Sequence, residues 1–252
     1  MVRKSLAWLV VGTLVAVAAS AQSADEIIEK YISAKGGREK LKAVQTIRMT
    51  GKMDIGGGAS APFTTEMKRP HKVRTEFTLQ GMTGTQAFDG TTGWMVMPFM
   101  GKKDPEPMSA DDLKGIEDQA DFEGALVDYK AKGHQVELLG KENVDGTPAW
   151  KLKLTKKNGD VSYVYLDADA YLEVKEEGKR TMRGQEVEFE STMGDYKTVD
   201  GIVFPFSLQA KPKGAPAGMT LTFEKVEINP AVDDSRFVMP KVEKKEGAQK
   251  PQ

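Results

Sequence analysis

One pattern dominates the chain from Gln45 onward: apolar and polar side chains alternate in short runs separated by turn-forming residues. Ile47, Met49, Gly51, Met53 and Ile55 alternate with Arg48, Thr50, Lys52 and Asp54, the period of two that sends successive side chains to opposite faces of a strand. Phe63, Thr65 and Met67 alternate with Thr64, Glu66 and Lys68. After Pro70, Val73, Thr75, Phe77 and Leu79 alternate with Lys72, Arg74, Glu76 and Thr78. Further strands are predicted at Thr83 to Phe88 and, after an Asp89-Gly90 turn, at Trp94 to Met97, where four consecutive apolar residues imply cover on both faces. The second half predicts strands at His134 to Asn143, Pro148 to Lys156, Val161 to Asp167, Tyr171 to Glu177, Glu186 to Tyr196, Ile202 to Ala210 and Thr220 to Ile228. Asp145-Gly146, Asn158-Gly159 and Asp200-Gly201 are the turns between them, and Gly56-Gly57-Gly58 reads as a loose hairpin turn rather than a phosphate loop.

Twelve strand candidates joined mainly by tight turns make an antiparallel meander. Twist accumulates across so many strands, so the sheet must curl, and its concave face becomes a pocket or a core. The inward set is soft and bulky: Met49, Met53, Phe63, Met67, Val73, Phe77 and Leu79, with Trp94 counted beside them. If the pocket is open, an acyl chain of about 15 methylenes offers up to about 12 kcal/mol of transfer energy before ordering costs. Flexible thioethers suit such a surface, and 12 of the 13 methionines follow Met1. The plain alternative is that these side chains pack against the helices as a filled core. Trp94 and Trp150 likewise read as core aromatics before they read as sugar-stacking platforms.

Three helices are expected. Ala24 to Ala34 carries Ile27, Ile28, Tyr31 and Ile32 on one side and ends at Gly36-Gly37, and Arg38 to Ala43 offers Leu41 and Val44. Residues 99 to 133 break the strand pattern. Within them Ser109 and Asp112 open a helix from Ala110 to Ala120, whose Leu113, Ile116 and Ala120 form an apolar stripe suited to a lid.

The first 21 residues have the form of a cleaved export signal: Arg3 and Lys4, an apolar run from Leu6 to Ala18, then Ala19-Ser20-Ala21. The apolar run is short for a membrane span. Residues 22–240 then form one domain, and 241–252, charged and ending in Pro251-Gln252, read as a disordered tail. Without Arg3 and Lys4, 34 basic residues face 37 acidic ones, a net charge of −3 that gives no footprint for nucleic acid. No cysteine is present to carry a lipid anchor or a disulfide. Only His71 and His134 occur, far apart, so no zinc site or histidine-assisted nucleophile assembles, and neither an enzyme nor a cofactor is expected. The Asp111-Asp112 and Asp233-Asp234 pairs read as capping and loop residues rather than a glycosidase pair.

Lys68-Arg69-Pro70, Val73-Arg74, Asp89-Gly90, Trp94 and Pro98-Phe99 follow one another in an order and spacing that resembles the LolA-like periplasmic lipoprotein carriers. Asp234-Ser235-Arg236-Phe237-Val238-Met239-Pro240 is similar to that family's closing segment, and Ala24 to Met53 resembles the opening of outer membrane lipoprotein-sorting proteins. The segment from Gly101 to Gly133 departs from the simple carrier. The resemblance implies an incomplete antiparallel β-barrel wrapped over short helices, an α+β fold whose apolar cavity takes acyl chains of lipoproteins or related lipids. It implies that Arg69 holds a helical lid closed through backbone carbonyls, a role that five donors and a permanent charge suit.

The expected protein is thus a periplasmic, monomeric carrier that passes lipid between membrane-bound donor and acceptor proteins. A scaffold subunit recruiting a partner strand at an open sheet edge is the alternative, and a carboxylate-dependent hydrolase a more distant one.

Overall fold

The computed structural model describes residues 22–54, 56, 60–182 and 185–241. The export signal expected over 1–21, the glycine turn at 57–58 and the tail from 242 onward lie outside the described residues.

The strands are β1 (Thr46–Asp54), β2 (Ser60–Lys68), β3 (Lys72–Leu79), β4 (Met82–Phe88), β5 (Gly93–Met97), β6 (Lys102–Pro107), β7 (Gln135–Val144), β8 (Thr147–Thr155), β9 (Val161–Asp167), β10 (Glu173–Met182), β11 (Gln185–Val199), β12 (Ile202–Pro212) and β13 (Met219–Ile228). They form one sheet of 13 strands in the order β6-β5-β4-β3-β2-β1-β13-β12-β11-β10-β9-β8-β7, every neighbouring pair antiparallel. Asp145-Gly146 and Asp200-Gly201 take positive φ at both positions (49° and 92°, 49° and 78°), the two-residue turn geometry their sequences favour. The strand not foreseen is β6, whose residues Lys-Lys-Asp-Pro-Glu-Pro carry no apolar alternation. It lies at the sheet edge, where the missing N–H groups of Pro105 and Pro107 are tolerated.

The strand order determines where the helices go. β6 and β7 are consecutive in the chain but stand at opposite edges of the sheet. Their connection must therefore cross the mouth of the curl, and it does so as α3 (Ala110–Ala120), which contacts β3 and β4 on one side and β10 on the other. Ser109 Oγ accepts the N–H of Asp112 at 3.2 Å, the cap its sequence called for. α1 (Ala24–Ala34) has a full Ser23–Glu26 capping box and is followed by α2 (Arg38–Ala43).

Both helices sit inside the curl. Ile27, Ile28, Tyr31 and Ile32 of α1 are 0–2% exposed and pack with Ile47, Met67, Val73, Phe88, Leu152, Leu154, Val164 and Leu166 of the sheet. At roughly 1.5–3 kcal/mol per buried large apolar side chain, α1 alone contributes about 6–12 kcal/mol of gross burial. Too short to be helical in isolation, it is held by this packing.

Candidate functional site

Cross-strand register assigns each inward side chain. Directly paired residues share a face, so Ile47, Met67, Val73, Phe88 and Gly93 form one row across β1 to β5. This row lies beneath the helices. Gly93 matters here: a Cβ at that position would stand 2.7 Å from Met108 Sδ and 2.9 Å from Leu113 Cδ1, so its absence lets the start of α3 approach the sheet.

The remaining rows lie farther along the strands. The next comprises Met49, Thr65, Thr75, Gln86 and Met95, with the two threonine hydroxyls 3.0 Å apart. Beyond it come Gly51, Phe63, Phe77 and Gly84, where Phe63 meets Phe223 edge-on at 5.4 Å and Phe77 meets Phe99 at 5.4 Å. The outermost rows hold Met53, Leu221, Leu208 and Met193, and Leu79 with Met82. Burial is uneven along these rows, with Gly51, Phe63 and Gly84 buried in one of the farther rows and Ala61 buried beside Met53. Met67 and Val73 are 6% and 1% exposed and Phe63 is also buried, whereas Met49, Met53, Phe77, Leu79, Met82, Met193, Leu208 and Leu221 are only half-buried. The concave face is therefore filled under α1 and carries, beyond it, half-buried apolar side chains interspersed with buried ones such as Phe63 and Ala61.

Seven of the eight side chains expected to line a cavity thus share the concave face, with Met67 and Val73 in the filled part. Trp94 does not join them. It pairs with Ala87, Arg74 and Glu66 on the convex face, where its indole Nε1–H donates to the Phe237 carbonyl at 2.7 Å. The polypeptide after β13 folds back over this face. Glu66, 3% exposed, is held between Arg48 Nε at 3.0 Å and the Arg236 guanidinium, while Arg74 donates to the Arg236 carbonyl at 2.8 Å. The closing segment Asp234–Pro240 is thus a cover whose anchors are Arg236 and Phe237. The Trp94–Met97 run is covered on both faces, as its lack of alternation required.

Arg69 turns inward from the end of β2. Its Nε donates to the Val44 carbonyl at 2.7 Å and its Nη2 to the Leu41 carbonyl at 3.1 Å, both at the C-terminal end of α2, where four carbonyls lack helical partners. The same guanidinium pairs with Glu123 and lies 4.8 Å from the ring centre of Phe122. It therefore bonds α2 directly and touches the lid through the residues just past α3. Leu113 and Ile116 of α3 face the core, Ile116 at 3% exposure.

Polar groups within the curl were missed by the sequence reading. Lys35 donates to Tyr31 Oη at 3.2 Å and to the Glu123 carbonyl at 3.1 Å, and Tyr31 donates to Glu173 Oε1 at 2.9 Å. Burial lowers the Lys35 pKa and raises that of Tyr31. Glu176 also faces inward, in a row comprising Met219, Ala210, Ser191, Glu176, Val164, Leu152 and Leu138. Burial pushes its carboxyl above the usual range. The negative field of Glu173 and of Asp118 adds to this, while the Ser162 hydroxyl and Lys156 act the other way. Among the described carboxyl groups with a resolved shift, Glu176 alone is raised. No group of three or more His, Cys, Asp or Glu among the described residues has metal-site geometry.

Two crevices lie away from the concave face. One of about 640 Å³ is bounded by Gln45, Thr46, Lys68 and Asn229–Asp233, the other of about 360 Å³ by α1 and residues 126–131.

No protein-family model matches the chain, and no curated protein matches it in sequence. Solved structures do match. A DUF1329 family protein from Desulfovibrio piger superposes with a TM-score of 0.58 at 11% identity, over 86% of this chain and 98% of that one. A LolA superfamily protein from Nitrosomonas europaea gives 0.58 at 14% identity over the same shares. A putative outer membrane lipoprotein-sorting protein domain from Vibrio parahaemolyticus gives 0.56 at 14% identity, over 84% and 94%. At such identities the likeness is one of fold. The chain has the LolA-like fold, an open, curved antiparallel sheet wrapped over short helices.

Proposed function

We propose that this protein is a non-catalytic carrier or binder of lipid-like ligands in the cell envelope, taking acyl chains of lipoproteins or related lipids on the half-exposed part of its concave face. The observation that carries this reading is the distribution of burial on that face. Met53, Phe77, Leu79, Met82, Met193, Leu208 and Leu221 form contiguous apolar rows that α1 does not cover. A soluble domain rarely leaves such a surface without a use. The fold supports it, since one superposing structure is named as a lipoprotein-sorting domain and another as a LolA superfamily protein. The export-signal pattern in the sequence of residues 1–21 supports export, and a carrier of this kind is useful where an aqueous gap separates two membranes, as in a periplasm. Arg69 is the residue we assign to holding the lid.

A scaffold role is the second reading, favoured by the filled core under α1 and by edge strand β7. That strand has ten residues without proline, and Leu139 at its bulge is 45% exposed. Mass spectrometry of protein purified from the envelope without detergent separates the two. The carrier predicts near-stoichiometric extracted lipid. No lipid together with a stoichiometric protein partner overturns the carrier and supports the scaffold.

A further inference from the structure

Glu176 stands out on the concave face because every neighbour in its row except Ser191 is apolar: Met219 and Ala210 on one side, Val164, Leu152 and Leu138 on the other. Isolated carboxylates are costly in such a setting and are ordinarily paired with a cation. Lys156, whose positive charge acts on it, is itself bound to Asp118 at 2.7 Å. Glu173 receives the Tyr31 hydroxyl, so it brings negative charge to the region without neutralising Glu176. On the same face, Ser162 of β9, opposite Gly178, has a buried hydroxyl with no hydrogen-bond partner among the described residues. The residue is half-buried rather than sealed, and α3 crosses the mouth against β10 at this point. Immediately next to the Glu176 row, Leu221, Leu208 and Met193 form an apolar row that continues to Met53.

We propose that Glu176, with the hydroxyls of Ser162 and Ser191 beside it, is a head-group site that selects lipids bearing a protonated primary amine, the acyl chain lying along Met193, Leu208, Leu221 and Met53. This rests on the lipid-binding reading and adds to it a ligand class. Three carboxylates, Glu176, Glu173 and Asp118, stand against two lysines, Lys156 bound to Asp118 and Lys35 acting on Glu173, so the balance favours a cationic group over a bare anion. An ammonium offers three donors, enough for the carboxylate and both serine hydroxyls. A charge-assisted hydrogen bond in a partly desolvated site is roughly twice as strong as a neutral one. The burial that raises the carboxyl's pKa is relieved once an ammonium is bound, so ligand and proton compete for the same oxygen atoms.

The experiment is isothermal titration of the mature chain with two lysolipids of identical palmitoyl chain, lysophosphatidylethanolamine and lysophosphatidylglycerol, each below its micellar concentration. The expected result is about tenfold tighter binding of the ethanolamine lipid, a preference that Glu176→Gln removes by weakening the ethanolamine lipid, with no loss of affinity for the glycerol lipid. Ser191→Leu, which crowds the carboxyl without altering it, is expected to remove the same preference and serves if the first variant does not fold. Equal binding of both lipids by the unmutated chain, or an intact preference in a folded Glu176→Gln or Ser191→Leu variant, overturns this inference and leaves the lipid-binding reading standing. Binding of neither lipid overturns both.

Discussion

Replacing Arg69 by methionine removes three interactions at once: the bonds to the Val44 and Leu41 carbonyls and the pairing with Glu123. The remaining Glu123 is 8% exposed, so it becomes a nearly buried carboxylate without its guanidinium. Breaking a buried pair from one side costs about 3–5 kcal/mol. Because the Arg69 side chain is itself 31% exposed, we expect about 2–4 kcal/mol here. For a domain of this size that lowers Tm by roughly 5–15 °C. Adding Glu123→Leu removes the stranded charge and should restore part of the loss, with a coupling of about 1–2 kcal/mol in a double-mutant cycle followed by urea denaturation. A loss under about 0.5 kcal/mol for Arg69→Met, with no coupling to Glu123, would refute the arrangement of Arg69 against α2.

Four further outcomes follow from the same geometry. Phe77→Asp places an unpaired charge on the half-exposed concave face at a cost of several kcal/mol to any bound acyl chain, so co-purified lipid should be lost while the fold persists. Trp94→Phe, on the opposite face, should cost about 1–3 kcal/mol by orphaning the Phe237 carbonyl yet leave lipid retention unchanged; equal lipid loss in both variants contradicts the face assignment. Gly93→Val should push Met108, Leu113 and with them the start of α3 away from the sheet, seen as faster amide exchange across Ala110–Ala120. Glu176 has a raised folded pKa, so the folded state binds the extra proton. Its stabilising contribution is complete below the unfolded pKa near 4.5 and is lost as pH rises through the folded value, so Glu176→Gln should melt above the unmutated chain at pH 7.5 and level with it at pH 4.

Alternation made most of this sheet readable. Where one face is wet and the other covered, as in Val73–Leu79, residue type alone assigns the face and the register then follows. The sequence signal failed where that contrast is missing. β6 is polar throughout, and β10, from Glu173 to Met182, carries charge on both faces, so Glu176 gave no sign of pointing inward. Trp94 was misassigned because an unbroken apolar run has no period. The cover that buries its other face comes from residues about 140 positions away. That Arg69 bonds the end of α2 was not legible, since nothing local indicates that a side chain at the end of β2 turns inward. Burial depth was also beyond reach: which part of the concave face α1 fills is a tertiary outcome, because α1 packs on side chains from β1 to β4 and from β8 and β9 that lie far apart in sequence.

Methionine methyl groups offer the most direct test of the lipid-binding face, because Met53, Met82, Met193 and Met219 are half-buried on it while Met239 is 41% exposed outside it. Carbon-13 labelled methionine methyls should be assigned and followed by NMR during titration with a palmitoyl lysolipid. Saturable shifts at Met53, Met82, Met193 and Met219, with Met239 unmoved, are the predicted result. Shifts confined to Met239, or none at all, would contradict a lipid site on the concave sheet.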